Sequence, residues 1–277
     1  MSTKDGFMQR HHFLLRRLHS MTGIVPIGMF LIVHLTTNST IAWGGANTRA
    51  HGDGWMDRSI ATFQHEVEFI NNMPLLLLIE ISLWLAIGFH SILGVYYAMS
   101  GANNMGSYKY MGNTRYALQR LTGYFGIFFL FYHIATLRWG WSWLVPGGAV
   151  WSHEFASSTF AAAIQGSTEG YTGMGVLVSV FYFVGVSALV FHFANGVWSA
   201  AITWGLTVSH ESQKRWGYVC AGLGAGLMAM AWVSVLGFAT LDYDRARAVE
   251  LETRDEEPAA LTDHEVTDAT DTEHNGG

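Results

Sequence analysis

Five apolar stretches, each long enough to cross a bilayer, leave this chain little choice but a helical bundle in a membrane. They run from about Met21 to Thr40, Met73 to Met99, Tyr116 to Leu137, Gly173 to Trp204 and Gly217 to Leu241. A span needs roughly 20 residues at a rise of about 1.5 Å each. The stretches are apolar nearly all round, which disfavours strands and surface helices with one wet face. Composition agrees. Only 13% of the 277 residues are Asp, Glu, Lys or Arg, against about 25% in a typical soluble domain. That rules out an ordinary soluble enzyme and a nucleic-acid binder. The expected fold is an all-α integral membrane protein, a five-helix bundle over residues 21–241. No short apolar region with a small-residue cleavage site comes first, so no removable signal peptide is expected.

Charge divides the chain. Residues 242–277 hold 12 of the 21 acids and 3 of the 15 bases. This acidic stretch cannot bury enough apolar surface to fold alone and is expected as a flexible, solvated tail. Basic residues set the orientation. The N-terminal segment, 1–20, carries Lys4, Arg10, Arg16 and Arg17; the second connection carries Lys109, Arg115 and Arg120; the fourth carries Lys214 and Arg215. The first and third connections have only Arg49, Arg58 and Arg138. Nine bases against three place the N-terminus in the cytoplasm. Five spans then put the acidic tail outside. Connections 41–72 and 138–172 are long and rich in tryptophan (Trp43, Trp55, Trp139, Trp141, Trp143, Trp151), as expected of an interfacial belt. The single cysteine, Cys220, excludes a disulfide framework and any Cys-based iron–sulfur or zinc cluster.

Histidine carries the chemistry. His34, His90, His133 and His192 fall one on each of the first four spans. A single membrane histidine can be a packing residue bonded across helices. One on each of four consecutive helices points to function. The first and third helices run outward, so His34 and His133 lie roughly 6 Å from their outer ends. The second and fourth run inward, so His90 and His192 lie roughly 24–28 Å from the outer surface. Two pairs at two levels result: His34 with His133, and His90 with His192. An internal repeat supports them. His90 and His192 both begin His-x3-Gly-Val-aromatic-x-Ala, through Gly94 and Gly196. The other two helices open alike, with Arg17-Leu18 before Thr22-Gly23 and Arg120-Leu121-Thr122-Gly123.

Facing imidazoles in a helical bundle are the usual way to hold b-type haem iron. Gly94, Gly196, Gly126 and Gly185 share helix faces with the histidines and are expected to make room for the macrocycle, or simply to let helices pack. Zinc prefers four ligands in a tetrahedron, and no Cys or carboxylate accompanies either pair.

Four stretches are similar to a known family: Arg16-Arg17-Leu18-His19-Ser20 through Gly23, Pro26, Gly28 and His34-Leu35; Gly94-Val95-Tyr96; Asn103-Asn104 through Tyr108 to Gln119-Arg120-Leu121-Thr122-Gly123; and His192-Phe193 through Asn195-Gly196, Trp198 and Thr203-Trp204-Gly205. Together they resemble the two-haem cytochrome b membrane anchor of succinate dehydrogenase, Gram-positive type, within the succinate:quinone oxidoreductase and fumarate reductase family. The resemblance covers roughly residues 13–240. It implies five helices, two haems b, a quinone site, and two cytoplasmic-face partners, a flavoprotein and an iron–sulfur protein, in a bacterial cytoplasmic membrane. Its axial ligands fall on His34, His90, His133 and His192.

The implied activity is electron transfer. Succinate is oxidised in a partner subunit, and electrons pass by the inner pair and then the outer pair to quinone, taken to be menaquinone. Haems at opposite levels would let the membrane potential act on the electron, at about 2.3 kcal/mol per charge per 100 mV. Glu80, the only carboxylate within the spans, is expected as a structural partner or part of a proton relay. Arg16, Arg17, His19, Ser20, Lys109 and Arg120 lie near the inner face and are expected to bind haem propionates or help dock the iron–sulfur partner. A quinone site is expected on the outer side near His65, Glu66 and Glu68, with a competing inner site near Arg17, Ser20 and Trp204. Two rival functions are a cytochrome of the formate dehydrogenase or hydrogenase type and a passive anchor whose histidines only pack.

Overall fold

The computed structural model describes residues 6–100 and 111–254, and the described residues contain helices and no strand. Two N-terminal helices, α1 (Phe7–Arg10) and α2 (His12–Ile24), lead into α3 (Pro26–Trp43). Then follow α4 (Trp55–Asn71), α5 (Leu76–Ser100), α6 (Met111–Leu137), α7 (Ala156–Gln165), α8 (Gly173–Thr203) and α9 (His210–Ala239). The α2–α3 rod breaks at Val25 because Pro26 has no N–H to continue the ladder.

Among the described residues four helical runs are long and apolar enough to cross a membrane: His12–Ala46, Leu76–Ser100, Gly173–Thr203 and His210–Ala239. The sequence also expects a span at 116–137. There α6 forms a helix of 27 residues, long enough to cross, but Arg115, Gln119 and Arg120 make its beginning polar. The long helices pack α8 against α9 and α6, α3 against α9, and α2 against α5 and α8.

The end of the bundle expected to face outward is capped by shorter helices. Ile41, Ile60, Phe63, Phe129, Phe160, Tyr182 and Phe238 form its core, joining α3, α4, α6, α7, α8 and α9. The fully buried Gln64 ties α4 to the chain before α7: its Nε2 donates to the His153 carbonyl at 2.9 Å, and its Oε1 accepts from the Ala156 amide at 3.1 Å. Glu80 has a partner across helices. Arg138 donates to both its carboxylate oxygens, at 3.0 and 2.9 Å, bridging α5 and α6.

The expected tail boundary at 242 is corrected. Residues 243–254 are helical, and Ala246, Val249 and Glu250 are buried. The Glu250 carboxylate accepts from the amides of Ser157 and Ser158, at 2.6 and 3.0 Å, and from the Ser158 hydroxyl at 2.5 Å. Those amides open α7 and have no partner within their own helix, which is why an acid belongs there. Arg245 pairs with Asp57 of α4 at 2.7 Å. Residues 255–277, the rest of the acidic stretch, lie outside the described residues, as do Lys4, Lys109, Asn103, Asn104 and Tyr108.

Candidate functional site

A cavity of about 1000 Å³ runs through the bundle, and all four membrane histidines line it. The end expected to face the cytoplasm is lined by Arg16, His19, Ser20 and Arg120, the opposite end by Asn38, Glu80, Arg138 and His153. The histidines meet in two pairs. The rings of His34 and His133 stand 5.8 Å apart, centre to centre, with planes at 84°. Those of His90 and His192 stand 6.2 Å apart at 85°. These are the pairs that helix depth gives. On α6 and α8 the levels lie 10 residues apart, from Gly123 beside His192 to His133, and from Tyr182 beside His133 to His192. That is roughly 15 Å.

The inner pair is built by a local repeat. His90 Nδ1 donates to the carbonyl of His19 at 2.9 Å, and His192 Nδ1 donates to the carbonyl of Gln119 at 3.0 Å. Each accepting residue sits four before a glycine, Gly23 or Gly123, and each glycine faces the histidine ring. A Cβ at Gly23 would come within 2.5 Å of His90 Cε1, and one at Gly123 within 2.9 Å of His192 Cε1. Nδ1 therefore carries the proton in both rings, leaving an Nε2 lone pair available, the arrangement that metal-binding histidines adopt. The outer pair repeats in a different way: Phe30 stacks on His34 and Phe129 on His133, each from four residues earlier.

The glycines expected to clear a macrocycle are filled by side chains. Gly94 faces His19, and Gly196 faces Gln119. Gly126 faces Leu189, and Gly185 faces the ring of Phe129. The glycines that approach the histidine rings are Gly23 and Gly123, on the helices opposite.

These features fit a haem iron. Two metal–nitrogen bonds of about 2 Å each, plus roughly 1 Å from each nitrogen to its ring centre, put paired rings about 6 Å apart. Among the described residues no three His, Cys, Asp or Glu converge, so a tetrahedral zinc site has no ligand set. No family model matches the chain. The succinate dehydrogenase cytochrome b558 subunit of Bacillus subtilis (strain 168) is 32% identical over 232 residues, covering 82% of this chain and 96% of that protein. This chain belongs to the succinate dehydrogenase cytochrome b family.

Within this family member the other expected site residues separate. His19 lies in the cavity with its ring stacked on His90, centres 4.0 Å apart at 12°, and its Nδ1 is buried without a partner. Ser20 accepts from the Trp204 indole at 2.9 Å, so it also joins α2 to the end of α8. Arg120 lines the cavity and donates to the Ala98 carbonyl. Arg17 is exposed, covers the ring of Phe13 and does not line the cavity. Arg16 takes that place, with its guanidinium over Tyr97, whose hydroxyl is buried and unpartnered.

On the outer side Glu66 and Glu68 miss the cavity. The face that α4 turns inward is Phe63, Val67, Ile70 and Asn71, and the two acids flank it. Glu68 accepts from Gln64 at 2.8 Å, and His65 is exposed. Glu80 is the carboxylate that lines the outer cavity. Tyr97, Gln119 and Asn195 are cavity residues whose roles the sequence does not announce.

Proposed function

We propose that this chain is the membrane-anchor and electron-transfer subunit of a succinate dehydrogenase, with His90 and His192 holding an inner haem b and His34 and His133 an outer one. The observation that carries this is the inner pair: two facing imidazoles, each with Nδ1 tied to a backbone carbonyl and Nε2 free. Haem at both levels supplies one-electron carriers between an iron–sulfur partner and a quinone. The chain's own residues bind, orient and insulate. Gly23 and Gly123 admit the inner rings, Phe30 and Phe129 brace the outer ones, and apolar walls keep water from both. Dicarboxylate chemistry belongs to a flavoprotein partner.

The chain crosses a bacterial cytoplasmic membrane five times, by α2–α3, α5, α6, α8 and α9, with the N-terminus in the cytoplasm and residues 243–277 outside. The inner-face bases Arg16, Arg17 and Arg120 then stand where haem propionates or the iron–sulfur partner arrive. Quinone, menaquinone by expectation, is the acceptor. The polar groups for an outer quinone site are Glu80, Asn38 and Asn71, which line the cavity. Family membership speaks against the formate dehydrogenase and hydrogenase rivals. The test is a dithionite-reduced spectrum of the purified complex with haem quantification. Two low-spin haems b per chain are expected, together with co-isolated flavoprotein and iron–sulfur subunits; a chain without haem would reject the assignment.

A further inference from the structure

The two halves of the repeat differ at one equivalent position. His19 and Gln119 both lie four residues before the glycine that meets an inner histidine. Both side chains fill the space left by a glycine four residues after that histidine, Gly94 for His19 and Gly196 for Gln119. His19 only stacks there, with its Nδ1 unbonded. Gln119 is wired on both sides. Its carbonyl accepts from His192 Nδ1 at 3.0 Å, and its Nε2 donates to the His192 carbonyl at 3.0 Å. Its Oε1 accepts from Asn195 Nδ2 at 2.8 Å, and Asn195 Oδ1 accepts from Arg115 Nε at 2.9 Å. The Arg115 guanidinium lies 3.9 Å above the ring of Trp198.

The bonds from Arg115 to Asn195, from Asn195 to Gln119 and from Gln119 to the main-chain carbonyl of His192 run the same way, and the His192 ring closes the set by donating back to the Gln119 carbonyl. Such aligned bonds polarise one another. Two of the four residues, Asn195 and His192, are three apart on α8, and Arg115 and Gln119 are four apart on α6, so the set bridges the two helices as a ladder. A guanidinium is thus hydrogen-bonded into the His192 side of the inner pair, while on the other side the His19 imidazole has an unbonded Nδ1.

We propose that Arg115, Asn195 and Gln119 are positioning residues that set the reduction potential of the inner site through His192. This rests on the haem assignment above. Oxidised haem iron carries one more positive charge than reduced iron. A nearby guanidinium thus favours reduction and raises the potential of the inner site. Gln119 contributes differently, by fixing the plane of the His192 ring. The outer pair lies roughly 15 Å away by helix rise and is expected to feel little of the Arg115 charge.

The test is a redox titration of the purified complex, following the reduced bands of both sites in wild type, Arg115→Gln, Arg115→Lys and Asn195→Ala. Haem quantification of the wild type comes first; an absent inner haem would fail the assignment itself rather than the relay. Arg115→Gln and Asn195→Ala are expected to shift the inner site's redox equilibrium three- to tenfold toward the oxidised form, where tenfold is about 59 mV for one electron. Arg115→Lys, which keeps the charge, should recover most of the shift, and the outer midpoint should stay put. A variant that drops the inner haem while Arg115→Lys keeps it at the wild-type midpoint also supports the relay, since folding demands on the two substitutions are alike. Unchanged inner midpoints in Arg115→Gln with both haems bound would overturn it. So would equal shifts at both sites, which would signal a general loosening.

Discussion

His90 rests directly on Gly23, so closely that a Cβ at residue 23 would stand 2.5 Å from His90 Cε1. The ring is held there by its own bond to the His19 carbonyl, one turn earlier on α2. Gly23→Ala should therefore push the imidazole out of line and lower inner haem content while the outer haem stays. Gly123→Ala, with a 2.9 Å approach to His192, should do the same less severely. Haem per chain and the reduced spectrum check both; a Gly23→Ala protein with two normal haems would contradict the contact.

The pairing makes a second prediction. His34→Ala and His133→Ala should abolish the same haem, and His90→Ala and His192→Ala the other, because the rings face one another at 5.8 and 6.2 Å. Difference spectra of the four variants decide it. If the His34 and His90 variants gave matching spectra, the assignment would be wrong.

Arg138 and Glu80 form a two-bond pair between α5 and α6. Arg138→Leu leaves the carboxylate without its donors at the cavity wall and should cost about 1–3 kcal/mol. The double change Arg138→Leu with Glu80→Gln removes the unpaired charge and should recover part of that loss. Thermal unfolding in detergent compares the two; a double variant no more stable than Arg138→Leu would show that the pair is not the reason.

Glu250 is fully buried against the start of α7. Glu250→Ala strands the amides of Ser157 and Ser158 and the Ser158 hydroxyl, at about 1–3 kcal/mol for each group that water fails to reach. Hydrogen exchange across 243–254 should speed up, with haem spectra unchanged. Protection equal to wild type would refute the cap.

Two acids give the same segment opposite pH limits. The hydrogen bond from Arg245 holds Asp57 below the usual carboxylate range. Its contribution is thus complete above a pH of about 4 and is lost as pH falls through the lower, docked value. Burial raises Glu250 against the pull of its Ser158 and Ser157 donors. Its contribution is complete below the ordinary carboxylate pKa and fades as pH rises through the raised value. Exchange protection of 243–254 should accordingly fall off on both sides of a weakly acidic optimum. Protection that is flat with pH would remove both groups from the account.

The histidine pairs were legible because an imidazole in an apolar helix has few uses, and because helix rise converts residue number into depth. The inner glycines were half legible. The repeat exposed Gly23 and Gly123, but their task shows only when α2 meets α5 and α6 meets α8. Gln119 and Asn195 are ordinary polar residues in a mixed stretch, and only the alignment of Gln119 with His19 marks the former. The helix at 243–254 was hidden by its acidic composition. Its partner amides lie 92 and 93 residues earlier in the chain, a contact that local pattern does not report. Glu66 and Glu68 do not line the cavity for a simpler reason: α4 turns Phe63, Val67, Ile70 and Asn71 toward it instead.

The cavity has a consequence for biogenesis. Most domains fold around side chains, but here the centre of the bundle is a space of about 1000 Å³ between helices. Newly inserted helices thus have a shell without a filling, and the contacts that would lock them together run through whatever occupies that space. If the haems of the proposed function fill it, completion of the fold is coupled to their supply. A cell short of them would accumulate a loosely closed bundle, open to membrane proteases, and the lifetime of the chain would report on cofactor synthesis before any respiration began.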